Sequence, residues 1–208
     1  MAVKAILFDL DNTLIDFMTF KKNSVSAAID AMIKAGLNID KKKATEILFK
    51  IYYETGIEDP KIFQKFLKKV EGKINYKYLA YGILAYRKMK ESHMTPYPGT
   101  IETLEKLRKK YKLAVVSDAP GINAWLRLIS MKIDGFFDVV LTKSDVKNTK
   151  KSEIPFRAAL NALKVRPSEA LMVGDWIERD IIGAKKIGIK TCYARYVSRI
   201  ACLYPYFF

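Results

Sequence analysis

The sequence predicts an α/β fold: a Rossmann-like core with a parallel sheet, into which a block of four helices is inserted. Short apolar segments of strand type alternate with segments of helical period, which is typical of a parallel sheet covered by helices on both faces. Several apolar segments end directly on carboxylates or hydroxyls, at the sheet edge where open α/β folds bind ligands. Residues 17–94 have helical periodicity and no strand alternation, which predicts a separate helical insertion.

The core strands are recognised as short apolar runs between polar or turn residues. The core helices end at stop signals: Gly188 follows the last of them, and Pro167 lies shortly after the one before. The predicted strands are Lys4–Phe8, Lys112–Val116, Phe137–Leu141, Ala170–Val173 and Ile189–Tyr193. The predicted core helices are Thr100–Lys110, Gly121–Ile129, Phe156–Leu163 and Asp180–Ile187.

The inserted block is predicted to be wholly helical. Apolar residues such as Val25, Ile29 and Met32 follow the 3.6-residue period, and a glycine lies just beyond each of the first three helices. We therefore assign residues 1–16 and 95–208 to the core and residues 17–94 to the helical domain. The predicted helices of the insertion are Phe20–Ala35, Lys41–Tyr53, Lys61–Glu71 and Tyr76–Lys90.

Composition narrows the class of protein. A chain of 208 residues, half of them hydrophobic, fits one domain with a modest insertion and a sizeable core. No apolar stretch approaches the roughly 20 residues that span a bilayer, and Asp9 interrupts the N-terminal apolar run too early for a signal peptide, so we expect a cytoplasmic protein without a membrane partner. Cys192 and Cys202 do not form a disulfide framework, and one histidine makes a histidine-based zinc site or a Ser-His-Asp triad improbable.

The net charge of +15 raises the question of a nucleic-acid partner. The basic residues are spread along predicted helices and alternate with acidic and apolar ones, which favours a solvated surface over a nucleic-acid interface. A lysine-rich chain with one glutamine also fits a heat-adapted protein. The positive field should attract anionic phosphate substrates.

The chemistry is concentrated where strands end. Asp9 and Asp11 follow the first strand two residues apart, so that their side chains lie on the same side. Two like charges so close together cost free energy unless a cation or a chemical task requires them. A plain turn is the alternative, since the Asp11-Asn12 pair is also common turn chemistry.

Further polar residues follow later strands. Ser117 and Asp118 end the second strand, and Asp175 follows the strand at Ala170–Val173, with Asp180 five residues on. The pair Lys150-Lys151 lies between these segments. Clustered carboxylates bind a hard cation, and lysine and hydroxyl groups bind phosphate, so this set predicts magnesium-dependent phosphoryl transfer.

These residues resemble the motifs of the haloacid dehalogenase superfamily, in the subfamily with a helical cap inserted after the first strand. The run from Asp9 to Leu14 is similar to the first motif, Ser117 matches the second, and Asp175 with Asp180 matches the fourth. The third motif places a lysine six residues before a helix-opening phenylalanine, which indicates Lys150, with Lys151 as the alternative. The resemblance extends to about Tyr196.

The resemblance and the chemistry together imply roles. Asp9 is the candidate nucleophile that forms an aspartyl phosphate, and Asp11 the general acid and then the base. Mg²⁺ is expected on Asp9, Asp175 and the backbone carbonyl of Asp11. Ser117 and Asp118, with the backbone amides that follow the first two strands, would bind the phosphate oxygens. Lys150 would balance the charge between Asp9 and the phosphate.

Several assignments keep an alternative. Asp180 either orients the metal shell or starts a helix. Asp118 stands where the family often has asparagine, and Trp176 could line the pocket or pack on a loop. The apolar tail from Val197 onward either packs on the core or forms a dimer contact, so monomer and homodimer both stay open. The apolar residues of this tail include Ile200, Leu203, Tyr204, Tyr206, Phe207 and Phe208.

Asp11 favours phosphate chemistry, because the dehalogenases of the superfamily lack this second aspartate. The expected function is a phosphatase acting on small phosphorylated metabolites. A phosphomutase of the same superfamily and a non-enzymatic anion- or nucleic-acid-binding protein are the alternatives.

Overall fold

The computed structural model describes residues 2–195. These residues fall into two compact units, one comprising residues 2–17 and 94–195 and the other residues 18–93. The chain thus passes from the first unit to the second after Phe17 and returns at Met94.

The second unit is built from four helices, and the first of them begins at Phe17, the residue at which the chain leaves the first unit. Asp40 and Asn75 cap two of the helices by accepting hydrogen bonds from backbone N–H groups of the first turn. Gly72 ends a third helix in the left-handed conformation, with φ of 74°. The helices are α1 (Phe17–Lys34), α2 (Lys41–Thr55), α3 (Ile62–Glu71) and α4 (Tyr76–Ser92).

The helical unit has its own hydrophobic core. The apolar stripe that the sequence predicts on α1 is buried, including Ile29 and Met32. It packs with Leu48 and Tyr52 of α2 and Phe66 of α3. A core of this kind explains why the inserted sequence folds as a compact body.

The first unit contains a five-stranded parallel sheet in the order β3-β2-β1-β4-β5. In the register of the sheet, Phe8 lies beside Val115 on one side and Val173 on the other. Strand β1 lies between β2 and β4, and all three strands are parallel. The residues that follow these strands therefore lie together at one edge of the sheet, at the point where the strand order reverses. The strands are β1 (Ala5–Phe8), β2 (Lys112–Ser117), β3 (Val139–Thr142), β4 (Ala170–Gly174) and β5 (Lys190–Tyr193).

Helices connect these strands, and one of them covers the centre of the sheet. Phe156 and Leu160 are buried against Leu7, Val116 and Met172 of the three central strands. The helices of this unit are α5 (Thr100–Arg108), α6 (Gly121–Ser130), α7 (Lys143–Val146), α8 (Ile154–Leu163) and α9 (Gly183–Lys185). Among residues 2–195, no helix is both long and apolar enough to cross a membrane.

The structure differs from the sequence prediction most at Asp180. The predicted helix Asp180–Ile187 is replaced by a π-helical segment, Ile177–Ile182, followed by the short α9. Asp180 is bonded to the start of this segment in two ways: its carboxylate accepts a hydrogen bond from the backbone N–H of Trp176, and its backbone N–H donates to the Trp176 carbonyl. Wider turns of this kind occur frequently at functional sites.

Smaller differences have local causes. The third strand begins at Val139 rather than Phe137, because a 3₁₀ turn precedes it and the Asp138 carboxylate accepts a hydrogen bond from the N–H of Leu113. The short helix α7 was not predicted and begins with a capping box between Thr142 and Asp145. Cys192 is an exposed free thiol, whereas Cys202 and the apolar tail from Val197 lie outside the described residues.

Candidate active site

Three carboxylates meet at the carboxyl edge of the sheet. Asp9 comes directly after β1, Asp175 directly after β4, and Asp180 from the π-helical segment. One oxygen from each of the three lies within 4.8 Å of the others. Because β1 and β4 are parallel neighbours, and the N–H of Asp9 donates to the carbonyl of Val173, the first two positions follow from the sheet itself.

Gly174 allows Asp180 to join this group. The side chain of Asp180 lies directly against the α-carbon of Gly174, so that any β-carbon at position 174 would overlap with it. Asp180 is fully buried in this position. Position 174 therefore requires glycine, because only a residue without a β-carbon lets the Asp180 side chain approach the backbone so closely.

Lys150 provides the cation of the cluster. It lies in the loop between α7 and α8, is buried, and its Nζ contacts Oδ1 of Asp9 and, at 2.6 Å, Oδ1 of Asp180. Gly183 lets α9 approach this loop, since a β-carbon there would lie 2.8 Å from the Lys150 carbonyl oxygen. Lys151, the alternative for this position, is exposed.

The loop after β1 supports the other oxygen of Asp9 and the neighbouring carboxylate. The hydroxyl of Thr13 donates to Asp9 Oδ2 at 3.2 Å, and the side chain of Asn12 hydrogen-bonds Asp175. Asn12 has a left-handed φ of 60°, a conformation that asparagine tolerates better than most residues. The loop thus turns back at Asn12 and places polar groups on two of the three carboxylates.

Burial makes the clustered negative charge costly. Burial raises the pKa of Asp9 well above its ordinary value, and the lowering by Lys150 does not cancel the effect of burial and of the neighbouring carboxylates. The pKa of Asp175 is raised to about 6, first by burial and then by Asp180. Burial lowers the pKa of Lys150, but Asp180, Asp9 and Asp118 raise it more, so the ammonium stays protonated. The site holds more negative charge than Lys150 compensates, which suits a cation.

Asp11 lies outside this cluster and has its own cation. Its Oδ2 is 3.2 Å from Nη1 of Arg127, whose side chain projects from α6 and is buried. The guanidinium carbon lies 4.6 Å from the centroid of the Phe17 ring, within range of a cation–π interaction. The two carboxylates that sequence reasoning pairs at β1 are therefore held by different cations.

Ser117 and Asp118 follow β2 at the same edge of the sheet. Ser117 is buried, and its hydroxyl accepts a hydrogen bond from the N–H of Ala119. The Asp118 carboxylate accepts from the N–H of Lys150 and pairs with Arg179 at 2.8 Å. Arg179 in turn stacks on the ring of Trp176, at 3.9 Å from its centroid. Asp118 thus fixes the lysine loop, and Arg179 compensates its charge.

Sequence reasoning missed four of these residues. Arg127 looks like an ordinary surface cation of a predicted helix, and Arg179 like one just before a predicted helix; nothing in their local sequence marks them. Gly183 is one glycine in a helical pattern, a weak hint of close packing. Asn12 lies inside the motif and could have been assigned by its position directly after the second of two carboxylates.

Comparison with known proteins identifies the family. The model of the haloacid dehalogenase-like hydrolases matches residues 6–194, and the chain belongs to this family. It is a hydrolase of a family that generally uses Mg²⁺.

Two named relatives and one solved structure are similar to most of the chain. A glyceraldehyde 3-phosphate phosphatase from Pyrococcus furiosus is 35% identical over 196 residues, which cover 93% of this chain and 81% of the relative. A pyrophosphatase PpaX from Bacillus cereus is 31% identical over 92% of this chain and 82% of the relative. The structure of a haloacid dehalogenase phosphatase from Thermococcus onnurineus aligns with a TM-score of 0.68 at 29% identity, over 92% of this chain and 86% of that chain.

The close approach at Gly174 leads to a testable expectation. We expect Gly174→Ala to displace Asp180, because the added β-carbon would lie within 2.5 Å of Oδ2, Cγ and Cβ of the aspartate, so that rotation of the carboxylate alone cannot relieve the clash. We expect Mg²⁺ to raise the melting temperature of the wild type and to leave that of Gly174→Ala unchanged. The control is Gly135→Ala, where an added β-carbon meets no atom within 4 Å. Equal Mg²⁺-induced shifts in the two variants would contradict this role of Gly174.

The raised pKa of Asp175 predicts how stability depends on pH in metal-free protein. The folded state holds this proton up to about pH 6, whereas an unfolded aspartate releases it near pH 4. The contribution of Asp175 to stability is therefore fully present below about pH 4 and is lost as the pH rises through about 6. Asp175→Asn carries no charge, so in EDTA it should become more stable than the wild type by up to about 3 kcal/mol between pH 4 and 7.

Chemical denaturation across this pH range measures the difference. Mg²⁺ should restore the stability of the wild type at pH 7 and leave the variant nearly unchanged. If the free energies of unfolding of the two proteins in EDTA changed with pH in the same way, the charge on Asp175 would not be the cause of the predicted loss of stability.

Proposed function

We propose that this hydrolase is a magnesium-dependent phosphatase that cleaves small phosphomonoesters through an aspartyl-phosphate intermediate. The observation that carries the proposal is the separation of the two carboxylates after β1. Asp9 is buried with Lys150 and two further carboxylates, whereas Asp11 stands apart on Arg127. Such a pair of environments supports a nucleophile and a separate proton donor.

The residues present fit the magnesium ion that the family generally uses. Asp9, Asp175 and Asp180 offer hard oxygen ligands within 4.8 Å of one another. Asp9 and Asp175 would hold the ion, together with the backbone carbonyl of Asp11, and Asp180 would orient this set through its contacts with Lys150 and Trp176. The ion would supply charge neutralisation between the anionic nucleophile and the phosphate.

In the first step, a carboxylate oxygen of Asp9 forms a bond to phosphorus and the bond from phosphorus to the ester oxygen breaks. Asp11 gives its proton to the leaving alkoxide, so the alcohol departs neutral. Lys150 offsets the negative charge shared by Asp9 and the transferring group. Ser117 and the backbone N–H groups that follow β1 and β2 would contact the phosphate oxygens.

In the second step, water cleaves the aspartyl phosphate. Asp11, now a carboxylate, accepts a proton from the water as its oxygen bonds to phosphorus. The bond between phosphorus and Asp9 breaks, and inorganic phosphate leaves with the Asp9 carboxylate regenerated. The two aspartates therefore return to their starting states after each turnover.

The substrate class is supported by the proton donor and by the relatives. An alkoxide is a poor leaving group without a proton, so a dedicated acid at Asp11 suits alkyl phosphates. The relatives named above act, by their names, on a triose phosphate and on pyrophosphate. We propose a small phosphorylated metabolite as substrate, with the helical domain of residues 17–94 serving as a cap that excludes water during catalysis.

The first test is release of inorganic phosphate from a panel of substrates. The panel contains p-nitrophenyl phosphate, glyceraldehyde 3-phosphate, phosphoglycolate, nucleoside monophosphates and pyrophosphate, each with Mg²⁺ and with EDTA. We expect release with Mg²⁺ alone, and a loss of at least about 1,000-fold in Asp9→Asn because the nucleophile is gone. Asp134→Asn, in the 3₁₀ turn before β3, is the matched control and should keep full activity.

The outcomes separate the competing functions. Release from no ester would exclude a general phosphatase. Conversion of one sugar phosphate into its isomer, without phosphate release, would indicate a phosphomutase. Salt-sensitive binding of nucleic acid without turnover would favour the non-enzymatic alternative.

The second test concerns the intermediate. In Asp11→Asn, the base for the second step is missing, so a reactive aryl ester such as p-nitrophenyl phosphate should still phosphorylate Asp9 while hydrolysis slows. We expect phosphate to remain bound to the protein at up to one equivalent, and hydroxylamine, which cleaves acyl phosphates, to remove it. Intact-mass spectrometry measures both effects. Bound phosphate that resists hydroxylamine, or that also forms in Asp9→Asn, would exclude an aspartyl phosphate on Asp9.

A further inference from the structure

Arg127 is a buried cation on a helix that is otherwise packed by apolar side chains. It lies on the inner face of α6 beside Ala124 and Leu128, and only 2% of it is exposed. An arginine is rarely buried to this extent unless it is paired, because its desolvation is costly. Its place in the fold therefore requires an explanation beyond the solvated surface charge of the chain.

The contacts of Arg127 lead to Asp11. Nη1 lies 3.2 Å from Oδ2 of Asp11, and the flat guanidinium group stacks on Phe17. Asp11 itself is more open, since 22% of its side chain is exposed against 3% for that of Arg127. The arginine is thus the more buried partner, and its contact constrains the more exposed carboxylate.

We infer that Arg127 is a positioning residue, which holds Asp11 in the orientation needed for proton transfer. The inference deepens the proposed function and rests on it. Asp11 lies just before the left-handed turn at Asn12, beyond the last residue of β1, so strand pairing does not fix its side chain. The contact from α6 supplies that constraint from a neighbouring element, since α6 follows β2 and the phosphate-binding candidate Ser117.

The chemistry of arginine suits this task better than that of lysine. A guanidinium group does not lose its proton in proteins, so the proton that moves during catalysis is the one on Asp11. Its planar shape can hold a carboxylate and stack on an aromatic ring at the same time. Lys150 pairs with Asp9 and Asp180, so Asp11 has a separate cation in Arg127.

A merely structural ion pair is the alternative, and the leaving group of the substrate distinguishes the two. p-Nitrophenolate is a stable anion that departs without a proton, whereas the alkoxide of glycerol 3-phosphate requires one. The value of kcat/KM reports on the steps up to cleavage of the ester bond. Loss of positioning at Asp11 should therefore lower kcat/KM for the alkyl ester much more than for the aryl ester.

The experiment compares Arg127→Met, Arg127→Lys and Asp11→Asn with the wild type on both substrates. We expect Arg127→Met to lower kcat/KM for glycerol 3-phosphate by about 10- to 100-fold, which is a part of the usual contribution of a general acid. For p-nitrophenyl phosphate, we expect kcat/KM to fall by about threefold or less. Asp11→Asn should show the same selectivity with a larger loss, and Arg127→Lys an intermediate one. Arg157→Met removes an exposed arginine that pairs with Glu153 and should change neither value.

Each outcome decides the inference. If Arg127→Met lowered kcat/KM equally for the two substrates while Asp11→Asn lowered it selectively for the alkyl ester, Arg127 would have a structural role only. The proposed function would then still hold. No loss on either substrate would also overturn the inference. If the wild type does not hydrolyse glycerol 3-phosphate, the alkyl ester of the first panel that it hydrolyses best takes its place. Release from no ester of that panel would overturn the proposed function and the inference together. Circular dichroism and melting temperature identify a variant that fails to fold, and Arg127→Lys then provides the comparison.

Discussion

The ion pairs of Lys150 constrain the rest of the site. A buried ammonium and buried carboxylates are each costly to desolvate, and they coexist only in direct contact with one another. Lys150 meets this condition with Asp9 and Asp180, which belong to different elements of the sequence. The close approaches at Gly174 and Gly183 and the wide π-helical turn all serve to bring these three side chains together.

This arrangement distributes charge unevenly along a short segment. Asp9 lies in a cluster with a surplus of negative charge, which burial makes unfavourable and a divalent cation would relieve. Asp11, two residues later, is paired with Arg127. Two carboxylates of the same strand end are therefore paired with different cations, and this difference supports the proposal that one acts as nucleophile and the other exchanges a proton.

The sequence could predict the site wherever regular structure determined it. Parallel strands with apolar interiors bring the residues after β1, β2 and β4 to one edge, so the grouping of Asp9, Ser117 and Asp175 follows from strand order alone. The partners of these residues could not be predicted in the same way. Arg127 and Arg179 occupy helical positions whose neighbours depend on how each helix packs, and the sequence pattern of a helix contains no such information.

Asp118 shows why such partners matter for interpreting a motif. The family often has asparagine at this position, and an isolated carboxylate beside a phosphate site would repel the substrate. In this chain one oxygen of Asp118 holds the backbone of Lys150, while the other is neutralised by Arg179, which stacks on Trp176. The additional negative charge therefore comes with a matched positive one, and the pair stabilises the loop that carries the lysine. A residue that departs from the family pattern is thus best understood together with its compensating partner, which lies 61 positions away in the sequence.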